Sequence, residues 1–414
     1  MNPVMKQITQ EMDRTFGAYL DACVHCGNCA EACHFYEMTG DSKYVPALKF
    51  EPVLRTYQRE MSPLAGLKRA LGLAPPEVSD AEVEDWRELL YDSCTMCGRC
   101  TLVCPMDIDI AYVVSVCRRA MMDNDMAPPE LKAVAERSRN EGSPLGVTPN
   151  LLKERIDWVA DEHEVDIPLD KDKADVLLTL SSIEVMKYPQ DVAAMAEVMN
   201  HSGVSWTISS KGYEATNFGY LAGDREIAKT MVTRVVEAAE AVGAKTVIVP
   251  ECGHAYGVMR WNAANIMGRE LPFTVLHISE FLEQLRQDGK LRLKPMQKKV
   301  TFHDPCQIVR RGGATEAPRN VLSAFATDFV EMQPSGNQNW CCGGGGGVAT
   351  LTSAKELQYK VFEIKREQVA KTGAEAMVSS CSNCRLIFDE DIEHAGWDKE
   401  NLSLVELVAE HLQD

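Results

Sequence analysis

At 414 residues the chain is long enough for two or three domains with real cores. Its 45% hydrophobic and 25% charged residues are those of an ordinary globular protein and argue against disorder. A net charge of −18 argues against nucleic acid, and against an anionic membrane surface, as the main partner. No apolar run approaches the length of a membrane span. The opening "MNPVMKQITQEMDRTFGAYL" has neither an apolar signal core nor a twin arginine, and it reads as an amphipathic helix of a cytoplasmic protein.

From 1 to about 125 the pattern is helical and holds two cysteine runs, "CVHCGNCAEAC" and "CTMCGRCTLVCP", each a C-x2-C-x2-C-x3-C. In such a run the first three thiolates wrap one four-iron cluster, while the fourth ligates the cluster of the other run. Cys23, Cys26, Cys29 and Cys104 are therefore expected to hold one [4Fe-4S] cubane, and Cys94, Cys97, Cys100 and Cys33 a second. Zinc favours paired knuckles a dozen or more residues apart and does not suit this compressed triplet. Pro105 follows the second run, whereas His34 stands in that place in the first; His34 and His25 read as local residues beside a cluster. Cys117, in "IAYVVSVCRRAM", reads as a buried apolar residue.

A linker over 126–172 carries "APPE", "GSPLGVTP" and a charged helix. Beyond it, short β-rich runs alternate with helices. The first half gives strands at "ADVLLTL", "SWTI", "KTVIVP" and "FTVL", with helices over 190–201, 224–242 and 255–268 and one starting at 279. The second gives strands at "VTFHD", "DFVEM" and "AMVSS", with helices over 316–326, 349–371 and about 402–412. This alternation predicts α/β layers with mainly parallel strands.

The two halves, 173–296 and 297–414, read as copies of one unit. "KTVIVPECGHAY" aligns with "EAMVSSCSNCRL", "ATNFGYLAGD" with "NWCCGGGGGVAT", and "LTLSSIEVMKYP" with "FHDPCQIVRRGG". The first copy keeps one cysteine, Cys252, where the second has Cys306, Cys341, Cys342, Cys381 and Cys384. Directly after Cys342 come five glycines, Gly343 to Gly347, which are costly to order and signal that something approaches the backbone closely. A phosphate-binding loop is disfavoured, because no Lys or Ser/Thr stands at the required spacing and no strand leads in.

The pattern C-x34-CC-G-x37-C-x2-C resembles the CCG-domain signature of heterodisulfide reductase catalytic subunits. A two-cluster ferredoxin domain ahead of two CCG domains, joined by "SPLGVTPNLLKERIDWV", is similar to the HdrD-like family. The degraded first copy, "ECGHA", looks most like its DsrK and TmcB branch. The spacing before the last C-x2-C is slightly long for the family, and Gln307 replaces the commoner His. The resemblance implies an α+β multidomain fold: a helical ferredoxin domain over 1–125, the 126–172 linker, a degenerate CCG domain over 173–296 and an active one over 297–414.

It also implies a third, special [4Fe-4S] centre on the five cysteines of the second copy, which exceed the four corners of a cubane: either the cluster is noncubane, as in heterodisulfide reductases, or one thiol is free to react. Amides of Gly343, Gly344 and Gly345 would approach its sulfurs. Electrons would pass singly through the ferredoxin clusters to this centre, which would cleave a disulfide or trisulfide. His254 is a candidate proton donor, Arg310, with Arg311, a candidate attractor of substrate thiolate or carboxylate, and His303 a supporting residue. The expected partners are a quinol-oxidising membrane cytochrome b and a DsrC-like sulfur carrier, placing the chain peripherally on the cytoplasmic face of the membrane with no span of its own. The alternatives are an electron-relay subunit of a glycolate- or lactate-type flavin dehydrogenase, and a CoM-S-S-CoB heterodisulfide reductase.

Overall fold

The structure, a computed structural model, describes residues 1–413. The chain forms two compact units. The first comprises Met1–Lys132, Leu221–Arg225 and Gly343–Ile364. The second comprises Ala133–Tyr220, Glu226–Cys342 and Lys365–Asp414.

The first unit is helical. The N-terminal amphipathic segment divides into Pro3–Glu11 and Arg14–Ala22, because Asp13 caps the second helix by accepting from Phe16 N at 2.7 Å. The helix Ile110–Asp123 is the unit's central support, with Val113, Val114 and Cys117 fully buried. Its Arg118, 1% exposed, donates to the carbonyls of Leu90, Cys94, Leu221 and Gly346.

The second unit is α/β. Strands β1 (Val176–Leu178), β2 (Trp206–Thr207), β3 (Thr246–Val249) and β4 (Thr274–His277) form a parallel sheet ordered β2-β1-β3-β4. Strands β5 (Val300–His303), β6 (Ala376–Ser379) and β7 (Glu400–Ser403) form a second parallel sheet in that order. The expected strand "DFVEM" is reduced to one parallel bridge, Val300 to Phe329, because Glu331 turns to Arg319 (2.6 Å) rather than continuing the ladder. That bridge lies beside β5 as β2 lies beside β1, so both sheets follow the same order. The helix expected over 349–371 runs Lys355–Thr372, since Leu351 is extended (φ −99, ψ 115) and two 3₁₀ turns precede it. β7 and the helix Ser382–Ala395, which starts within the final C-x2-C, add to the expected elements.

The two sheets share one core. Val176, Leu178 and Ile248 of the first sheet pack in the same apolar cluster as Phe302 and Val378 of the second, together with the helices Pro189–His201 and Leu404–Glu410. Strands buried on both faces are what a parallel sheet under helices requires. Among the described residues no helix is long and apolar enough to cross a membrane.

Candidate metal centres

Within the first unit the eight cysteines of the two runs divide between two cavities. Cys23, Cys26, Cys29 and Cys104 line one, and Cys33, Cys94, Cys97 and Cys100 the other. Each run bends in the same way: His25 and Gly27 in the first (φ 53 and 84), Met96 and Gly98 in the second (φ 54 and 73) are left-handed. Repeated left-handed turns curl successive amides inward, as anion-binding backbone does, and holding two non-glycine residues there costs about 1 kcal/mol each. Burial pushes the Cys33 thiol up to about 11 and raises Cys29 and Cys100. A cluster that takes these sulfurs as thiolates displaces those protons. His34, 2% exposed, lines the second cavity with both ring nitrogens unpartnered, which fits a role against a cluster better than a satisfied core histidine. The residues fit two four-iron clusters.

The second unit gathers the other five. Cys306, Cys341, Cys342, Cys381 and Cys384 are between 3 and 7% exposed, and Cys306 Sγ lies 3.9 Å from Cys341 Sγ. Cys384 is within hydrogen-bonding reach of both Cys342 and Cys381. The bond from Cys384, with amides of Gly253, Cys384 and Asn383, holds the Cys381 thiol down at about 7 against burial, while Cys384 is pushed well up. Cys381 thus carries thiolate character at the N-cap of the helix Ser382–Ala395, where unpaired amides and the helix dipole favour an anion. His303, fully buried and edge-on to Phe388 at 4.8 Å, has both ring nitrogens unpartnered; burial keeps it neutral. The donor chemistry and the orphaned imidazole fit an iron–sulfur group here.

Arg310 donates to the carbonyls of Asn337 (2.6 Å) and Asn339, bracing the segment that leads to Cys341. His254 is half-buried in the short helix Gly253–Gly257 that Cys252 caps. Cys252 itself meets Thr216 Oγ1 at 3.5 Å, and burial pushes its thiol up to about 12. The chain leaves this unit at Cys342, and Gly343 onward packs in the first unit. There Gly346 (φ 65) is explained by close approach: a Cβ would fall 2.8 Å from Thr95 C and 3.0 Å from Cys94 O.

Lys365 escaped sequence reading, although it falls on the same helical stripe as the buried Val361 and Val369. Its ammonium donates to Asn339 Oδ1 (2.8 Å) and Gln368 Oε1 (2.6 Å), and burial pushes it down to about 7. The charge of Asp304 and those of Cys341, Cys342 and Cys384 oppose that burial and raise it, so an amine able to take up a proton lies beside the cysteines.

Residues 19–108 match the 4Fe-4S dicluster domain, and residues 300–389 the cysteine-rich CCG domain. The chain is 28% identical over 400 residues to a subunit of the dihydromethanophenazine:CoB--CoM heterodisulfide reductase of Methanosarcina barkeri, covering 95% of this chain and 94% of that one. It is 26% identical to the Hdr-like menaquinol oxidoreductase iron–sulfur subunit of Archaeoglobus profundus, covering 90% and 76%. It is 27% identical to the EtfAB:quinone oxidoreductase of Syntrophomonas wolfei, covering 91% of this chain and 56% of that one. A dicluster domain followed by a CCG domain defines a 4Fe-4S iron–sulfur oxidoreductase. Over nearly its whole length the chain is similar to HdrD-like CCG-domain iron–sulfur proteins.

Proposed function

We propose that the chain is the catalytic subunit of a membrane-associated redox complex, and that it reduces a disulfide or trisulfide, or reversibly oxidises the thiols, at Cys306, Cys341, Cys342, Cys381 and Cys384. The observation that carries this reading is the convergence of five buried cysteines, one more than an ordinary four-iron cubane requires, with the Cys381 thiol held down by its hydrogen bonds and the buried Lys365 amine nearby. The reaction RS–SR′ + 2e⁻ + 2H⁺ → RSH + R′SH draws its electrons one at a time from a reduced donor, by way of two ferredoxin clusters. A bound iron–sulfur group supplies the site for holding the half-reduced sulfur; this chain's residues bury the reacting atoms and position charge beside them.

The substrate proposed is a DsrC-like sulfur carrier, and the electron partner a quinol-oxidising cytochrome b that holds the chain at the cytoplasmic face of the membrane. The carrier follows from the degraded first copy, which resembles DsrK and TmcB more than the CoM-S-S-CoB enzymes. A quinol-linked electron partner is supported by the two relatives named for dihydromethanophenazine and menaquinol, and the cytochrome is this reading's choice of one. The EtfAB:quinone oxidoreductase relative favours a second reading, electron relay to a flavoprotein.

Anaerobically purified protein is expected to hold about 12 iron atoms in three four-iron clusters. Cys342→Ser or Cys381→Ser should abolish the third centre and disulfide turnover while both ferredoxin signals persist by EPR. Zinc at the CCG cysteines, or turnover retained in either variant, places the chemistry elsewhere. Recovery from native membranes bound to a flavoprotein rather than to a cytochrome would favour relay.

A further inference from the structure

Behind the Cys381–Cys384 turn the second unit buries more carboxyl groups than its cations balance. Arg385, which follows Cys384 and is 5% exposed on its side chain, binds both oxygens of Asp191 at 2.7 Å. It also reaches Glu406 at 3.1 Å and Glu251 at 3.8 Å. Asp191 and Glu251 are fully buried, and Glu184, also fully buried, couples to both. Four ionised carboxylates around one guanidinium would leave three uncompensated negative charges out of water, which protein interiors avoid by holding protons. Two contacts show where a proton fits. The carboxyls of Asp191 and Glu406 are within hydrogen-bonding reach of each other, which requires a shared hydrogen, and Glu251 Oε2 is buried with no partner, aimed at Arg385.

The cluster is connected at both ends. Glu406 and Ser403 line a surface cleft of about 440 Å³ along with Lys298, Glu400, Glu410 and His411. Ser403 Oγ donates to Glu251 Oε1 at 2.9 Å. The Glu251 carbonyl accepts from Ser382 N at 2.5 Å and from Ser382 Oγ at 3.0 Å, in the first turn after Cys381. Glu184 Oε1 accepts from Glu251 N at 3.0 Å, and the Tyr188 ring stacks under Arg385 while its hydroxyl donates to Asp389 at 2.5 Å. Burial pushes Glu251 and Glu406 up to about 8, Glu184 to about 7 and Asp191 to about 6, so the cluster exchanges protons in the neutral range.

We propose that Asp191, Glu251 and Glu406 form a proton-loading site, filled from the Glu406–Ser403 cleft, that stores a proton behind the Cys381–Cys384 turn and gives it up as negative charge there is discharged. One proton moves from water in the cleft onto the carboxyl pair and on toward a departing thiolate, so two loadings meet the two protons that disulfide reduction consumes. That use rests on the proposed reaction; the loading itself does not.

The holoprotein should show a protonated-carboxyl C=O infrared band at pH 7 that shifts in D₂O and weakens in Glu406→Gln. An EPR redox titration should find the midpoint potential of the CCG centre falling as pH rises, with that slope flattened in Glu406→Gln while the ferredoxin clusters are unmoved. Ser403→Ala removes the Glu251 contact and the helix cap that accepts from Glu406 N at 3.3 Å, so it should slow re-protonation at a modest cost in stability. Absence of the band, or the same slope in wild type and Glu406→Gln, overturns the proposal and leaves Arg385 and Asp191 a static staple. Band and slope without disulfide turnover would sink the proposed reaction while the loading site stands.

Discussion

Replacing Gly346 by alanine tests why a run of glycines follows Cys342. Gly346 sits at φ 65, where an L-residue costs about 1–2 kcal/mol. The new methyl would lie 2.8 Å from Thr95 C, 2.9 Å from Thr95 O and 3.0 Å from Cys94 O. Ordinary contacts begin near 3.5 Å, so the two backbones must separate by at least half an ångström. These are backbone atoms of a loop that carries a cluster ligand, so they cannot swing aside, and overpacking of this kind costs about 1–3 kcal/mol. The separation also strains one clamp, since Arg118 binds Gly346 O at 2.6 Å and Cys94 O at 2.9 Å together. The sum is about 2–5 kcal/mol. Gly396→Ala is the control: φ is 56, nothing lies within 4 Å of the added Cβ, and only the backbone strain of about 1–2 kcal/mol applies. Thermal bleaching of the iron–sulfur absorbance under argon, with EPR of the Cys94-run cluster, reads the difference. If Gly346→Ala melts with Gly396→Ala and keeps an unaltered cluster signal, the close-approach account is wrong.

The buried carboxyls set a pH dependence of stability. Their folded values of about 6 to 8 lie above the ordinary carboxylate range near 4, so the folded state holds protons that the unfolded chain releases. Their contribution is full below about pH 4 and is lost as pH rises through 6 to 8; the urea midpoint should fall over that window and fall less in Glu406→Gln. Arg385→Leu should destabilise by about 3–5 kcal/mol by leaving Asp191 and Glu406 facing each other uncompensated, and lowering the pH to 5 should restore part of that loss. Arg118→Ala leaves buried carbonyls of Leu90, Cys94, Leu221 and Gly346 without this donor at about 1–3 kcal/mol each, and should remove the Cys94-run EPR signal before the CCG signal.

Local chemistry was legible and long-range chemistry was not. The ferredoxin runs declare themselves because their ligands fall within eleven residues, and β3 and β6 because Thr246–Val249 and Ala376–Ser379 are continuous apolar segments. The pentaglycine showed that a backbone must come close, but its contact at Gly346 lies 228 positions from Arg118, which no periodicity reveals. The strand at "DFVEM" failed because a single ion pair, Glu331 with Arg319, outweighs β-propensity at a sheet edge. The helix over 349–371 started late because Leu351 buries itself in extended backbone. Arg118 and Lys365 had a usable signal, a cation on an otherwise apolar helical stripe, which is rarely buried without a specific set of partners.

The first half of the second unit shares the strand order of the other half but not its cysteines. By the internal alignment Ser182, Asn217, Phe218 and Ala255 stand where the second copy has Cys306, Cys341, Cys342 and Cys384. Its remaining loop nevertheless meets the active one directly: Gly253 N donates to Cys381, and a Cβ at Gly253 would fall 2.9 Å from Gln307 Cβ, beside Cys306. Glu251, one residue before the vestigial cysteine, accepts from Ser382 and reaches Arg385. A single apolar core joins the two sheets, so these contacts are held by packing rather than by loops alone. The first half is therefore constrained although it holds only Cys252, because its Gly253 amide, its Glu251 carbonyl and its Glu251 carboxyl form the wall against which the Cys381–Cys384 turn is set.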